Sequence, residues 1–334
     1  MLRNNYAKEF FMGKRTLLSY TPQIKVLDAT IRDGGLVNNF YFDDEFVKKL
    51  YQTNIAAGID YMEFGYKASS AIFDKSKFGK WKFCEEKDLR DIVGDNNTDL
   101  KISVMADVGR TDVDKDIIPK NESVIDMVRV ASYINTIPAA IEMVENCAKK
   151  GYETTINVMA ISHANESDLQ EALDLIGNSS VDGVYLVDSY GSLYPEQIRK
   201  LAEKYLNMGA KYNKFVGIHA HNNQQLAFAN TIESVACGVN YLDATVNSLG
   251  RGAGNCPLEL LLGFLKNPKY NLHAVLKFIE EEMLKLKESG LVWGYDIPYL
   301  ITGVLDRHPS GAIDCIKNNR TDYAIIYHEL MGLE

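Results

Sequence analysis

From residue 24 to about 265, short apolar, β-branched runs alternate with longer amphipathic stretches, and this alternation limits the fold more than any other feature. The strand candidates are Ile24–Ala29, Tyr61–Phe64, Lys101–Ala106, Met127–Ala131, Thr154–Met159, Gly183–Val187, Phe215–His219 and Tyr241–Thr245. Between them lie helical segments such as Asp43–Ala57, Thr136–Lys149, Glu166–Ile176, Pro195–Leu206 and Gln224–Cys237. Asn165 and Pro195 stand at helix starts, and Gly58, Gly151 and Gly238 stand at helix ends. Eight strand–helix units of roughly thirty residues fit a (β/α)8 TIM barrel, which needs about 250 residues. An open doubly wound sheet would place a G-x-G-x-x-G turn after its first strand. Here that strand runs into Thr30-Ile31-Arg32-Asp33-Gly34-Gly35, and Gly250-Arg251-Gly252-Ala253-Gly254 follows the eighth strand instead.

Beyond residue 265 the period is helical. Leu272–Ser289 is charged on one face and apolar on the other, and shorter helices follow. The expected organisation is an irregular arm over 1–23, a barrel domain over 24–265 and a helical C-terminal extension over 266–334, packed on the barrel or on a second subunit. The apolar face of that extension predicts a homodimer. A net charge of −9 argues against a nucleic-acid partner or an anionic membrane, since phosphate binding needs a basic face. The first twenty residues lack the apolar core of a signal peptide, and no uncharged apolar run is long enough to span a bilayer. The five cysteines (Cys84, Cys147, Cys237, Cys256, Cys315) are scattered without C-x-x-C spacing and predict reduced thiols in a cytoplasmic protein.

In such a barrel, polar residues at the C-terminal ends of strands build the active site. The candidates are Arg32 and Asp33 after strand one, Glu63 on two, Asp107 after three, His163 after five, Asp188 and Ser189 after six, His219 and His221 on seven, and Asn247 and Asn255 after eight. In an extended strand, side chains two apart point the same way, so His219 and His221 can converge on one point. If strands one and seven lie side by side, Asp33 joins them there. Two neutral imidazoles and a carboxylate with room left over describe a divalent-metal site open to a substrate. A Schiff-base aldolase is disfavoured because no lysine ends a predicted strand. Plainer readings stand beside several of these residues. Glu63 could pair with an interior cation, and Asp107 and Asp188 could cap the segments that follow. His163 could be an ordinary loop residue, and Gly250, Gly252 and Gly254 could serve a tight loop.

Three strings carry a family resemblance: Asp28-Ala-Thr-Ile-Arg-Asp-Gly34, His219-Ala-His-Asn-Asn223 and Gly250-Arg-Gly-Ala-Gly-Asn-Cys-Pro-Leu-Glu259. They resemble the signatures of the metal-dependent TIM-barrel lyases and synthases related to 3-hydroxy-3-methylglutaryl-CoA lyase. Val128–Ala131, Met159–His163 and Asp188–Gly191 make the resemblance nearest to 4-hydroxy-2-oxovalerate aldolase. It implies Asp33, His219 and His221 as ligands of Mn²⁺ or Mg²⁺. Asn255 matches an asparagine that ligates metal in some members and not in others. It further implies a small 2-oxo acid as substrate, bound through its 2-oxo-carboxylate, with the metal as Lewis acid on an enolate oxygen. Arg32 would add fixed positive charge, Ser189 would bind the substrate carboxylate, and Tyr295 resembles a tyrosine that the aldolase brings from its C-terminal part. The aldolase carries its general-base histidine four residues after the arginine; here that position is Leu36. Another group (His163, Tyr66, Tyr295 or a metal-bound water) would then take the proton, or the substrate differs. The second reading is an acyl-CoA-dependent synthase condensing acetyl-CoA with a 2-oxo acid. A barrel that keeps metal only for stability is a third.

Overall fold

A computed structural model describes residues 23–332 of the chain. The arm read over 1–23 lies, but for Gln23, outside the described residues. Eight parallel strands close into a barrel in sequence order: β1 (Lys25–Asp28), β2 (Tyr61–Tyr66), β3 (Lys101–Asp107), β4 (Met127–Tyr133), β5 (Glu153–Met159), β6 (Gly183–Asp188), β7 (Phe215–Ala220) and β8 (Tyr241–Ala244). The strands are buried on both faces, between the barrel axis and a helical jacket, which is why they read as near-continuous apolar runs.

Two expectations about the first strand need correction. β1 pairs with β2 and with β8, in register Leu27↔Asp243, so β8 separates it from β7 and the first and seventh strands are not neighbours. Arg32 and Asp33 are also not on a strand end or a loop. They lie in a helix, α1 (Thr30–Asn38), which starts directly after β1 and takes in most of the Gly34–Asn39 stretch. The Asp28 carboxylate turns the chain there by accepting from the backbone N–H and the hydroxyl of Thr30. Helix propensity disfavours the Gly34-Gly35 pair, but packing requires it: a Cβ on Gly35 would stand 2.1 Å from the Phe40 ring. Asp33 therefore reaches over the short β8, from helix rather than strand.

The jacket follows the prediction closely. It comprises α2 (Asp44–Ala57), α3 (Glu86–Val93), α4 (Ile137–Lys149), α5 (Glu166–Asn178), α6 (Pro195–Tyr212), α7 (Ala227–Cys237) and α8 (Leu258–Leu265), plus a single turn at Val113–Asp116. The Asn165 side chain accepts from the Asp168 N–H at 2.8 Å, and Pro195 opens α6. α7 starts three residues later than predicted because Gln225 takes a left-handed backbone (φ 59°) that breaks the helix. In the extension, Leu272–Phe278 (α9) continues through a wide π turn at Ile279–Met283 into Leu284–Glu288. α10 (Ile297–Val304), α11 (Ser310–Lys317) and α12 (Tyr323–Met331) then gather around Ile301, Cys315 and Ile326. No helix among the described residues is long and apolar enough to cross a membrane.

Candidate metal centre

Asp33, His219 and His221 are buried and offer one ligand atom each, all within 4.8 Å of one another. His219 lies on β7 and His221 one residue beyond it, so both side chains leave the same face, with ring centroids 5.1 Å apart. The Asp33 Oδ2 atom is 3.2 Å from His219 Nε2 and 3.9 Å from His221 Nε2. Nδ1 of His219 meets Asp243 Oδ2 at 3.0 Å, which leaves Nε2 turned inward as a ligand requires. Nδ2 of Asn255 lies 3.1 Å from His219 Nε2, while its Oδ1 is buried with no hydrogen-bond partner. Two imidazoles, a carboxylate and an orphaned amide oxygen suit a divalent cation with open positions.

The charges are tightly interlocked. Arg32 Nη1 donates to Asp33 Oδ2 at 2.5 Å and Arg32 Nε to Glu63 Oε2 at 2.7 Å. Arg129, wholly buried, donates to the same Glu63 atom at 3.0 Å and to Asp243 Oδ2 at 2.6 Å. The backbone N–H of Arg251 donates to Asp33 Oδ1 at 2.8 Å, so the anion held by the Gly250–Gly254 loop is the Asp33 carboxylate itself. Burial alone would raise the Asp33 pKa, but Arg32 and the facing imidazoles outweigh it and hold the carboxyl well below its usual range. Burial, and then the positive Arg251, depress His221 well below an ordinary histidine and keep it neutral, as a ligand must be.

These three candidate ligands line an open cleft. Arg32, Asp33, Ser189, His219 and His221 line it, with Leu36, Tyr66, Met105, Tyr190, Arg251 and His308 among their neighbours. Ser189 Oγ accepts from the Ala160 N–H at 2.8 Å and keeps its own proton to donate. Glu63 lies behind Arg32 rather than in the cleft. Asp188 does cap the turn that follows it, accepting from the Ser192 N–H at 3.0 Å. His163 and Tyr295 do not line the cleft. His163 bonds Asp306 through Nε2 (2.8 Å to its carbonyl), and Tyr295 is 44 % exposed on the extension. Lys67 directly follows β2, which runs two residues further than predicted and ends at Tyr66. Its Nζ, however, is committed to the Cys84 carbonyl at 2.7 Å.

Sequence reasoning missed Asp243, Arg129, Arg251 and His308. The first two had a signal: each is an ionisable residue in the middle of an otherwise apolar strand. His308 had none, since it comes from the turn between α10 and α11, outside the strand–helix repeat.

Comparison with known proteins agrees with the barrel fold. The HMGL-like family model matches residues 23–281. An oxaloacetate decarboxylase from Mycobacterium tuberculosis is 31% identical over 72% of this chain and 69% of its own length. A 4-hydroxy-2-oxovalerate aldolase from Bacillus cereus is 26% identical over 81% of both chains. Among solved structures, the N-terminal domain of an aldolase candidate from Bacteroides vulgatus superposes with a TM-score of 0.75 at 27% identity, over 88% of this chain and 97% of that one. Hydroxymethylglutaryl-CoA lyase from Pseudomonas aeruginosa shares the fold, with a TM-score of 0.63 at 15% identity over 81% of this chain and 95% of its own. With its barrel, its acid–imidazole cluster and a family match across most of its length, the chain belongs to the HMGL-like family.

Proposed function

We propose that the protein is a divalent-cation-dependent carbon–carbon lyase that cleaves a 4-hydroxy-2-oxo acid reversibly to pyruvate and an aldehyde. The observation that carries this reading is the Asp33–His219–His221 cluster with the Arg32 guanidinium bonded against it in an open cleft. When bound there, Mn²⁺ or Mg²⁺ supplies Lewis-acid stabilisation of charge on the substrate's 2-oxygen, worth several kcal/mol. Arg32, locked between Asp33 and Glu63, presents positive charge that needs no reorganisation as the oxygen gains charge. The free Ser189 hydroxyl proton is placed to bind the substrate carboxylate. Burial, with Asp107 nearby, pushes the Tyr66 hydroxyl well above its ordinary range, so Tyr66 is a proton donor in the cleft and not a base. Leu36 takes no proton, so the hydroxyl proton of the substrate passes to solvent at the open mouth.

Leu36 also favours a second reading. Decarboxylation of oxaloacetate reaches the same enolate without deprotonating a hydroxyl, and a relative of that name is 31% identical. Coupled assays of pyruvate release separate the two. Aldol cleavage predicts pyruvate and acetaldehyde from 4-hydroxy-2-oxovalerate, abolished by EDTA, restored by Mn²⁺ and lost in D33N together with manganese binding. Turnover of oxaloacetate alone, above the rate with free Mn²⁺, would select decarboxylation. Thiol release from acetyl-CoA with 2-oxo acids would instead select the condensing synthase, and cation binding without any turnover would leave a purely structural metal.

A further inference from the structure

Arg251 differs from the other two arginines of this network in having no acid. Arg32 is bonded to Asp33 and Glu63, and Arg129 to Glu63 and Asp243. The Arg251 guanidinium instead donates Nη2 to the Ser189 carbonyl at 2.7 Å and carries a buried Nε with no partner. Among the described residues it forms no ion pair. Its Nη1 stands 3.4 Å from Nε2 of His308, and both side chains line the cleft. Nδ1 of His308 accepts from the Ser310 N–H at 3.2 Å, at the start of α11, which leaves the single proton of the neutral ring on Nε2. Two N–H donors therefore converge with no acceptor between them. Burial and the neighbouring Arg251 both depress the His308 pKa, which keeps the ring neutral.

We infer that Arg251 and His308 form a second anion subsite, and that the substrate is a 4-hydroxy-2-oxo acid carrying another carboxylate at its far end. This rests on the lyase reading above. With 4-hydroxy-2-oxoglutarate, the C3–C4 bond breaks, the 4-hydroxyl proton leaves to solvent and C3 gains a proton. The products are pyruvate and glyoxylate, with no change of net oxidation state. A carboxylate held by a guanidinium is stabilised as an anion, which opposes its loss as CO₂ and favours aldol cleavage over decarboxylation.

The test uses the full chain loaded with Mn²⁺ and two matched pairs in which a methyl group replaces the far carboxylate. The pairs are 4-hydroxy-2-oxopentanoate with 4-hydroxy-2-oxoglutarate for kcat/KM, and 2-oxopentanoate with 2-oxoglutarate for calorimetric binding. The diacid is expected to be favoured about tenfold or more in each pair, as for a charge-assisted contact. R251L and H308Q should bring both ratios toward one, and R251K should keep part of the preference. H308Q reports on the ratio alone should R251L fail to bind manganese. Equal handling of the two members overturns the subsite, as does an equal loss on both members in R251L, which would assign the guanidinium to the carboxylate common to both. Oxalate is the control: without Mn²⁺-dependent oxalate binding the lyase reading itself fails, whereas oxalate binding with no diacid preference removes only the subsite.

Discussion

Leu36 stands one helical turn after Arg32 on the same face of α1, and both side chains line the cleft. At 37 % exposed, Leu36 is not part of the packed core, so replacing it changes the chemistry of the cleft more than the fold. A positioned base is worth about 10²–10⁴ in rate, and a histidine here would face the reacting hydroxyl from the helix that carries Asp33. L36H is therefore expected to raise kcat for 4-hydroxy-2-oxovalerate cleavage by roughly ten- to a hundredfold near neutral pH, with KM little changed. A pH–rate profile would show the new group as a rise through the histidine range. An unchanged rate would mean that proton removal from the hydroxyl does not limit the reaction.

Between elements, the site depends on where three short segments meet: the start of α1, the end of β7 and the loop after β8. The period-2 rule made the His219–His221 pair legible, because alternation in a strand is local. The strand–helix alternation likewise made the barrel legible, since each strand is largely apolar and buried between the barrel axis and the helices. Placing Asp33 on an adjacent strand failed because β1 neighbours β8, and pairing around a closed barrel is set by circular order and not by any local pattern. The roles of Arg251 and His308 were illegible for a related reason, as a missing acid is a fact of three dimensions. The loop after β8 gives the element-scale prediction. A Cβ on Gly250 would lie 1.7 Å from Asn255 Oδ1 and 3.0 Å from Asp33 Oδ1, so the backbone passes the ligands without room for a methyl group. G250A should push both side chains aside and weaken Mn²⁺ binding about tenfold or more, the scale of losses around metal ligands. Equilibrium dialysis would measure the loss, and circular dichroism is expected to show the barrel intact. An unaltered manganese affinity would mean that Asn255 and Asp33 can retreat freely.

Over the whole molecule, burial sets how stability responds to pH. Asp28 and Asp188, at the ends of β1 and β6, are fully buried, and burial pushes their carboxyls up to about 6 and about 7, against 3.8 for an ordinary aspartate. Between those values the folded chain holds protons that the unfolded chain has released. Their contribution is thus complete below the ordinary value and is lost as pH rises through 6 and 7, on the order of 2–4 kcal/mol for each group. Asp33, held low in the fold, acts in the opposite sense and loses its contribution on acidification. In EDTA, the urea midpoint is therefore expected to fall between pH 5 and pH 8. D28N cannot ionise but still accepts from the Thr30 N–H, so it should flatten that slope and be the more stable protein at pH 8. Manganese opposes the trend. Burial lowers the His219 pKa, but its bonds to Asp243 and Asp33 outweigh burial and hold it above the ordinary histidine value, so His219 must shed a proton as the ion binds and the stabilisation manganese adds, about 2.7 kcal/mol at a hundredfold excess over Kd, grows as pH rises. The gap between melts with Mn²⁺ and with EDTA should accordingly widen from pH 5 to pH 8. A gap that stays constant would mean that His219 does not hold the ion.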